Sequence, residues 1–194
     1  MPQASVLTES DVRRVFRIIE TTRHADRNRL AFVLSICGGM RVGEIAAVKI
    51  KDVANQYGEA RREIRLGSNQ TKGNRGRIVV LSNRVRREIE SYLKLAHTQP
   101  DWHLIRSRRG AGFSSLTLSM LFKEIYELAG IRTSSHSGRR TFATRLNARG
   151  IGMRTIQKLM GHRWIESTQT YVMANDKQVA EDYYAACVKI EGWA

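Results

Sequence analysis

The chain has 194 residues, with 33 Lys and Arg against 18 Asp and Glu, a net charge of +15 and a pI near 10.6. That excess calls for a polyanionic partner, nucleic acid first, with a solvated basic surface or a membrane face as the alternatives. At 42% apolar and 7% aromatic the chain is too rich in core-forming residues for a disordered basic tail, and no apolar run approaches the ~20 residues of a membrane span.

The N-terminus MPQASVLTESD lacks the basic and apolar regions of a secretory signal. Cys37 and Cys187 sit far apart inside apolar helical patterns and read as core thiols of a reducing compartment. No Cys/His cluster has ligand spacing, so no metal site is expected. The expectation is a cytoplasmic protein.

The first helix starts at Leu7-Thr8-Glu9-Ser10-Asp11-Val12. Thr8 is the N-cap, Asp11 completes a capping box and Leu7 can staple onto Val12. Val12, Val15, Phe16 and Ile19 continue it with helical period. A second helix carries Leu30, Val33, Leu34 and Cys37 and stops at Gly38-Gly39. A third begins near Arg41 with Ile45 and Val48 inward.

From about 59 to 81 the character changes. Arg61 to Leu66 and Arg77 to Leu81 are rich in strand formers, and Gly67 and Lys72-Gly73-Asn74-Arg75-Gly76 supply turns. They predict an antiparallel sheet of two or three strands. Helices resume after Ser82, with Val85, Ile89, Tyr92 and Leu93 on one face. Arg106 to Gly112 is a basic loop. Leu118, Leu121, Phe122, Ile125 and Leu128 form the next stripe, ended by Gly130. Further helices are predicted from about Gly138 to Ala148, Arg154 to Met160 and around Tyr171. After the cap at Asn175 or Asp176, Val179, Tyr183, Cys187 and Ile190 recur on one helical face, which packs either on its own domain or on a neighbouring protomer. The fold class is mainly α with a small antiparallel sheet: one domain over 1–174 and a C-terminal helix or tail over 175–194.

The residues able to do chemistry are scattered. In Gly39-Met40-Arg41-Val42-Gly43-Glu44-Ile45 an arginine stands at a helix start, where it can clamp an anion. Glu44, one turn on, either orients Arg41 or forms an ordinary surface salt bridge with it. The glycine spacing is P-loop-like, but Glu44 stands where the lysine must be, which excludes a Walker site. Lys72, followed by Arg75 and Arg77, sits at a hairpin tip that either enters a DNA groove or is solvated edge protection. In His136-Ser137-Gly138-Arg139 an imidazole and a guanidinium share one face of a helix start. A histidine there can take a proton from a phenol, and an arginine can hold a phosphate oxygen. The bland alternative is a histidine at a helix end beside solvated arginines. Arg140 and Arg145 read as DNA-backbone contacts or solvated charge. His162 follows the helix stop Leu159-Met160-Gly161, and Tyr171 comes nine residues later, one of six tyrosines.

The run HSGRRTFATRLNARGIGMRTIQKLMGHRWIESTQTY, from His136 to Tyr171, resembles the second conserved box of the tyrosine recombinases (phage integrases). LTESDV and GMRVGEI resemble the start of the same catalytic domain, so the resemblance covers essentially the whole chain. It implies a helical catalytic domain whose small sheet bears a lysine. It makes Arg41 the first catalytic arginine, Lys72 the hairpin lysine, His136 and Arg139 the HxxR pair, His162 the late histidine and Tyr171 the nucleophile. Two departures stand out. Gly138 replaces the large apolar residue usual in the HxxR interior, and the chain begins where the catalytic domain would begin, with no core-binding domain before it, as in a fragment or a naturally short recombinase.

The implied chemistry is attack of Tyr171 on a phosphodiester of double-stranded DNA, giving a 3′-phosphotyrosyl link and a free 5′-hydroxyl. Arg41, Arg139 and His162 would offset charge on the non-bridging oxygens, Lys72 would protonate the leaving oxygen and His136 would assist deprotonation of the phenol. Bond energy is conserved in the phosphotyrosine, so no cofactor is called for. The implied partners are further copies in a tetrameric synapse and accessory DNA-bending proteins. A type IB topoisomerase shares the chemistry, but the short spacing from His162 to Tyr171 and the small size favour recombination. A catalytically silent DNA-binding regulator would not need the full set.

Overall fold

The computed structural model describes residues 4–71, 76–95, 98–107 and 110–169. Its elements run α1 (Glu9–Thr21), α2 (Ala25–Ile36), α3 (Val42–Ala47), α4 (Ile50–Val53), β1 (Glu63–Leu66), β2 (Arg77–Val80), α5 (Asn83–Leu95), α6 (Ser115–Leu128), α7 (Ser137–Asn147), α8 (Met153–Met160) and α9 (Glu166–Gln169). The mainly helical fold with a small antiparallel sheet is as the sequence predicts. Lys72, Arg75, Tyr171 and the C-terminal segment 175–194 lie outside the described residues.

Helix α1 begins as its sequence demands. Thr8 Oγ1 accepts from the Asp11 amide at 3.1 Å, and the Asp11 carboxylate accepts from the Thr8 amide at 3.0 Å. Two donors that the helix start leaves without partners are satisfied reciprocally. Val15 and Ile19 face inward. Helix α2 is different. Leu30 to Ile36 are all buried, with no polar face over its last two turns. A helix apolar all round must be surrounded, and α2 is packed against α1, α5 and α7. Phe32 anchors this core, edge-on to Phe16 at 5.2 Å between ring centroids and to Tyr126 of α6 at 6.3 Å.

The sheet, among the described residues, is the β1–β2 pair with Glu63 opposite Val80 and Leu66 opposite Arg77. Ile64, Leu66 and Val79 point into the core, and Ile78 and Val80 point outward. Side chains alternate across a strand, so Arg77 shares the inward face with Val79. The strands are shorter than predicted, and the short α4 carries too few residues for its period to show in sequence. Leu128 was expected on the apolar stripe of α6 but is 60% exposed. It lies in the final turn, on the outward face shared by Leu116 and Met120.

Helix α7 is fixed from two sides. The Leu7 amide donates to Thr141 Oγ1 at 2.8 Å, tying the N-terminal segment to it. On the other side α7 lies so close to α2 that a Cβ at Gly138 would stand 2.5 Å from Ser35 Oγ. The departure from the family pattern at this position is therefore a close helix contact, and a large apolar residue has no room. Beyond α7, a second small core of Ala143, Ile156 and Met160 joins it to α8. Together these contacts bring the end of α8 beside the start of α3.

Candidate active site

The last carbonyls of a helix have no partners within it and carry the negative end of its dipole. Helix α8 ends at Gly161, in the left-handed conformation (φ 59°) that glycine adopts without strain. The three successive carbonyls there are taken by three different arginines. Arg77 Nη1 donates to Leu159 O at 2.7 Å, Arg139 Nη2 donates to Met160 O, and Arg41 Nη2 donates to Gly161 O at 3.3 Å. Arg139 Nη1 and Arg77 Nη2 also donate to Gly39 O, in the turn that leads into α3. Residues far apart in sequence are thereby gathered on one helix end.

Glu44 organises the arginines from the opposite side. Its carboxylate accepts from Arg77 Nε at 2.9 Å and Nη2 at 2.6 Å, from Arg41 Nη1 at 2.8 Å and from the Arg41 amide at 2.7 Å. Its side chain is 1% exposed, so this is no surface salt bridge. Burial by itself would raise the Glu44 pKa, but the hydrogen bonds and charge of Arg77, with Arg139 beyond, hold it at about 2. Of the two readings of Glu44 open from the sequence, the geometry supports the one in which it orients Arg41.

Arg139 is 1% exposed. Its Nη2 also lies 3.1 Å from His162 Nε2, and His162 Nδ1 lies 3.0 Å from Thr168 Oγ1 on α9. Burial and then the positive charges of Arg139, Arg41 and Arg77 push the His162 pKa down to about 3, so the ring is neutral at pH 7. His136 stands exposed at the N-cap of α7. It lines the same cleft as Arg41 and Glu44, whose far wall is Ser115 and Ser119 of α6 with Ser135. Arg41 and His136 thus line one cleft, and Arg41 shares the end of α8 with Arg139, which His162 contacts, so four residues scattered over 122 positions are joined through Arg41. No three His, Cys, Asp or Glu side chains among the described residues cluster as metal ligands do.

The remaining predicted contacts are placed differently. Arg77, expected to touch DNA, has a side chain only 7% exposed and locked on Glu44 and two carbonyls. The reason is strand parity: it shares the inward face with Val79. Arg140 donates to Ala4 O at 2.6 Å and so helps hold the N-terminal segment. Arg145 is partly exposed in the last turn of α7. Two parts of the site were missed from sequence. Alternation in RIVV could have flagged Arg77 as inward-facing. Nothing local marks Thr168, one hydroxyl among several in ESTQTY.

A mainly helical domain with a two-stranded sheet, holding two arginines and a histidine on one helix end, has the catalytic-domain architecture of the phage integrases. The model of the phage integrase family matches residues 5–178, and the chain belongs to that family. It is 30% identical over 177 residues to the tyrosine recombinase XerA of Pyrococcus horikoshii, covering 90% of this chain and 59% of that protein. The chain thus spans about three fifths of the length of the curated relatives it matches. A crystal structure of XerA recombinase superposes with a TM-score of 0.75 at 30% identity, over 96% of this chain and 66% of that one. The XerH site-specific recombinase bound to its palindromic difH substrate, in a post-cleavage complex, shares the fold with a TM-score of 0.72 at 22% identity, over 92% of this chain and 51% of that one.

Proposed function

We propose that this chain is the catalytic part of a site-specific recombinase that cuts and rejoins double-stranded DNA through a 3′-phosphotyrosyl intermediate. The observation that carries the reading is the convergence of Arg41, Arg139 and His162 on the end of α8. Guanidinium donors preorganised in a partly dry site, with an imidazole beside them, are what a phosphoryl transfer needs as charge develops on the non-bridging oxygens. Arg41 and Arg139 bind the scissile phosphate, with Glu44 and Arg77 fixing the first of them. Tyr171 Oη attacks phosphorus while its proton passes toward His136, and Lys72 gives a proton to the departing 5′-oxygen. Attack by a 5′-hydroxyl of another strand reverses these steps and completes exchange.

The reading extends to the wider assembly. Residues 1–174 form the catalytic domain, and 175–194 dock on a neighbouring copy within a tetrameric synapse on DNA, where accessory DNA-bending proteins assist. The setting is the cytoplasm, on chromosomal or phage DNA. Arg75 and Arg145 add charge along the duplex; each phosphate they neutralise contributes roughly 0.9 to the log–log salt slope of binding.

The test is a nicked suicide duplex that traps the covalent complex. Wild-type chain should become attached through Tyr171, and Tyr171→Phe should bind the duplex nearly as well while forming no covalent product. Persistent attachment in that variant would overturn the assignment. Lys72→Ala should be slow on ordinary DNA and largely recovered when the bridging 5′-oxygen is sulfur, because a thiolate leaves without a proton donor.

A further inference from the structure

We propose that Thr168 is a positioning residue that sets the tautomer of His162 and lets that tautomer reverse when a phosphate arrives. The inference rests on the recombinase reading for its consequence, but the geometry that carries it is independent of that reading.

An arginine guanidinium can only donate. With Arg139 Nη2 at 3.1 Å, His162 Nε2 must therefore present its lone pair, and a neutral ring then carries its proton on Nδ1. That proton points at Thr168 Oγ1, 3.0 Å away, which accepts it. Burial and the surrounding arginines hold the ring neutral, consistent with one proton shared between two nitrogens. In this state His162 has nothing to donate to a phosphate oxygen from Nε2.

Stabilising a non-bridging oxygen requires the other tautomer, with Nε2–H turned outward. One proton leaves Nδ1 to solvent and one arrives on Nε2 from solvent, so the ring stays neutral throughout. The partner of Nδ1 must then donate instead of accept. A carboxylate cannot do so and would pull the ring toward imidazolium; a carbonyl cannot do so at all. A hydroxyl can do both by rotating its hydrogen. Thr168 is fully buried, and its amide donates to Ile165 O at 2.8 Å, so its Oγ1 is held in place on α9 while its hydrogen rotates. Helix α9 packs on α8 and ends two positions before Tyr171. The same hydroxyl therefore ties the orientation of His162 to the segment leading into the nucleophile.

The test uses the 194-residue chain with 15N-labelled histidine, His162→Gln to assign the resonance, and Thr168→Val and Thr168→Ser as the variants. Valine keeps the shape and removes the hydroxyl; serine keeps the hydroxyl. Wild type and Thr168→Ser should show a protonated Nδ1 and a bare Nε2, and Thr168→Val should lose that preference. On a nicked suicide duplex built from the DNA flanking the chain's own gene, covalent trapping should fall about 10- to 100-fold in Thr168→Val, the scale set by losing the orienting partner of a metal-bound histidine, and recover in Thr168→Ser. A wild-type His162 protonated on Nε2, a Thr168→Val ring unchanged from wild type, or trapping unaffected by valine would each overturn the proposal. If the tautomers behave as stated and wild-type chain traps no DNA, the recombinase reading fails while the Thr168 assignment stands.

Discussion

Around α2 the helices meet through Phe32, Val33, Leu34 and their apolar neighbours, whereas at the end of α8 the same domain is joined by Glu44, three arginines and four backbone carbonyls. Apolar burial is non-directional, so the first region specifies volume and little else. Buried charge is directional and costly to strip of its partners. The second region therefore specifies where each guanidinium points, at the expense of tolerance to change. A site that must present fixed donors to an anion is better built on the second kind of contact.

Breaking the charged region should show this most sharply. Arg77→Met leaves Glu44 buried against fewer partners and should destabilise the chain by about 3–5 kcal/mol in urea unfolding. Pairing it with Glu44→Gln should cost less than the two single losses summed, because no uncompensated charge then remains. If Arg77→Met unfolds at the wild-type urea midpoint, the region is not held by charge.

The apolar region should answer to volume instead. Gly138→Ala adds a Cβ 2.5 Å from Ser35 Oγ and should cost about 1–3 kcal/mol by forcing α2 and α7 apart. Adding Ser35→Gly should return most of it, whereas a relief mutation at the charged region should not.

Acid should separate the regions without mutation. His162 falls from an ordinary 6.5 to about 3 in the fold, and Glu44 from 4.5 to about 2. Both groups favour the deprotonated form when folded, so the unfolded chain binds more protons as the pH drops. The stability they contribute is complete above pH 6.5. It declines first through His162 and then, below 4.5, through Glu44 as well. A thermal unfolding series from pH 8 to 3 should show Tm falling across that window, and His162→Gln should flatten its upper part. The smallest effect belongs to a pair outside both regions. Lys51 and Asp101, 2.6 Å apart on the surface, should be replaceable by alanine with no measurable change in urea midpoint.

Much of this was legible in the chain. The capping box at Thr8 and Asp11, the stripe Val15–Ile19 and the strand-forming segments are local, and local chemistry decided them. His136 and Arg139 fall at a helix start that their own neighbours predict. Leu128 misled, because periodicity names a stripe without saying where its neighbour ends. Arg77 misled for a related reason: its basic context suggested solvent, and its strand parity turned it inward.

From the sequence came the order of the longer helices and strands, the basic balance and the presence of side chains whose chemistry suits a phosphodiester, because propensity, capping and periodicity act over a few residues. The packing alone decided that Arg41, Arg77 and Arg139 divide the carbonyls of one helix end among them, that Glu44 is buried between two of them, and that Thr168 Oγ1 meets His162 Nδ1. Those contacts join positions up to 120 residues apart, and which donor meets which carbonyl is set by the packing of α2, α7 and α8, a property no short stretch of chain encodes.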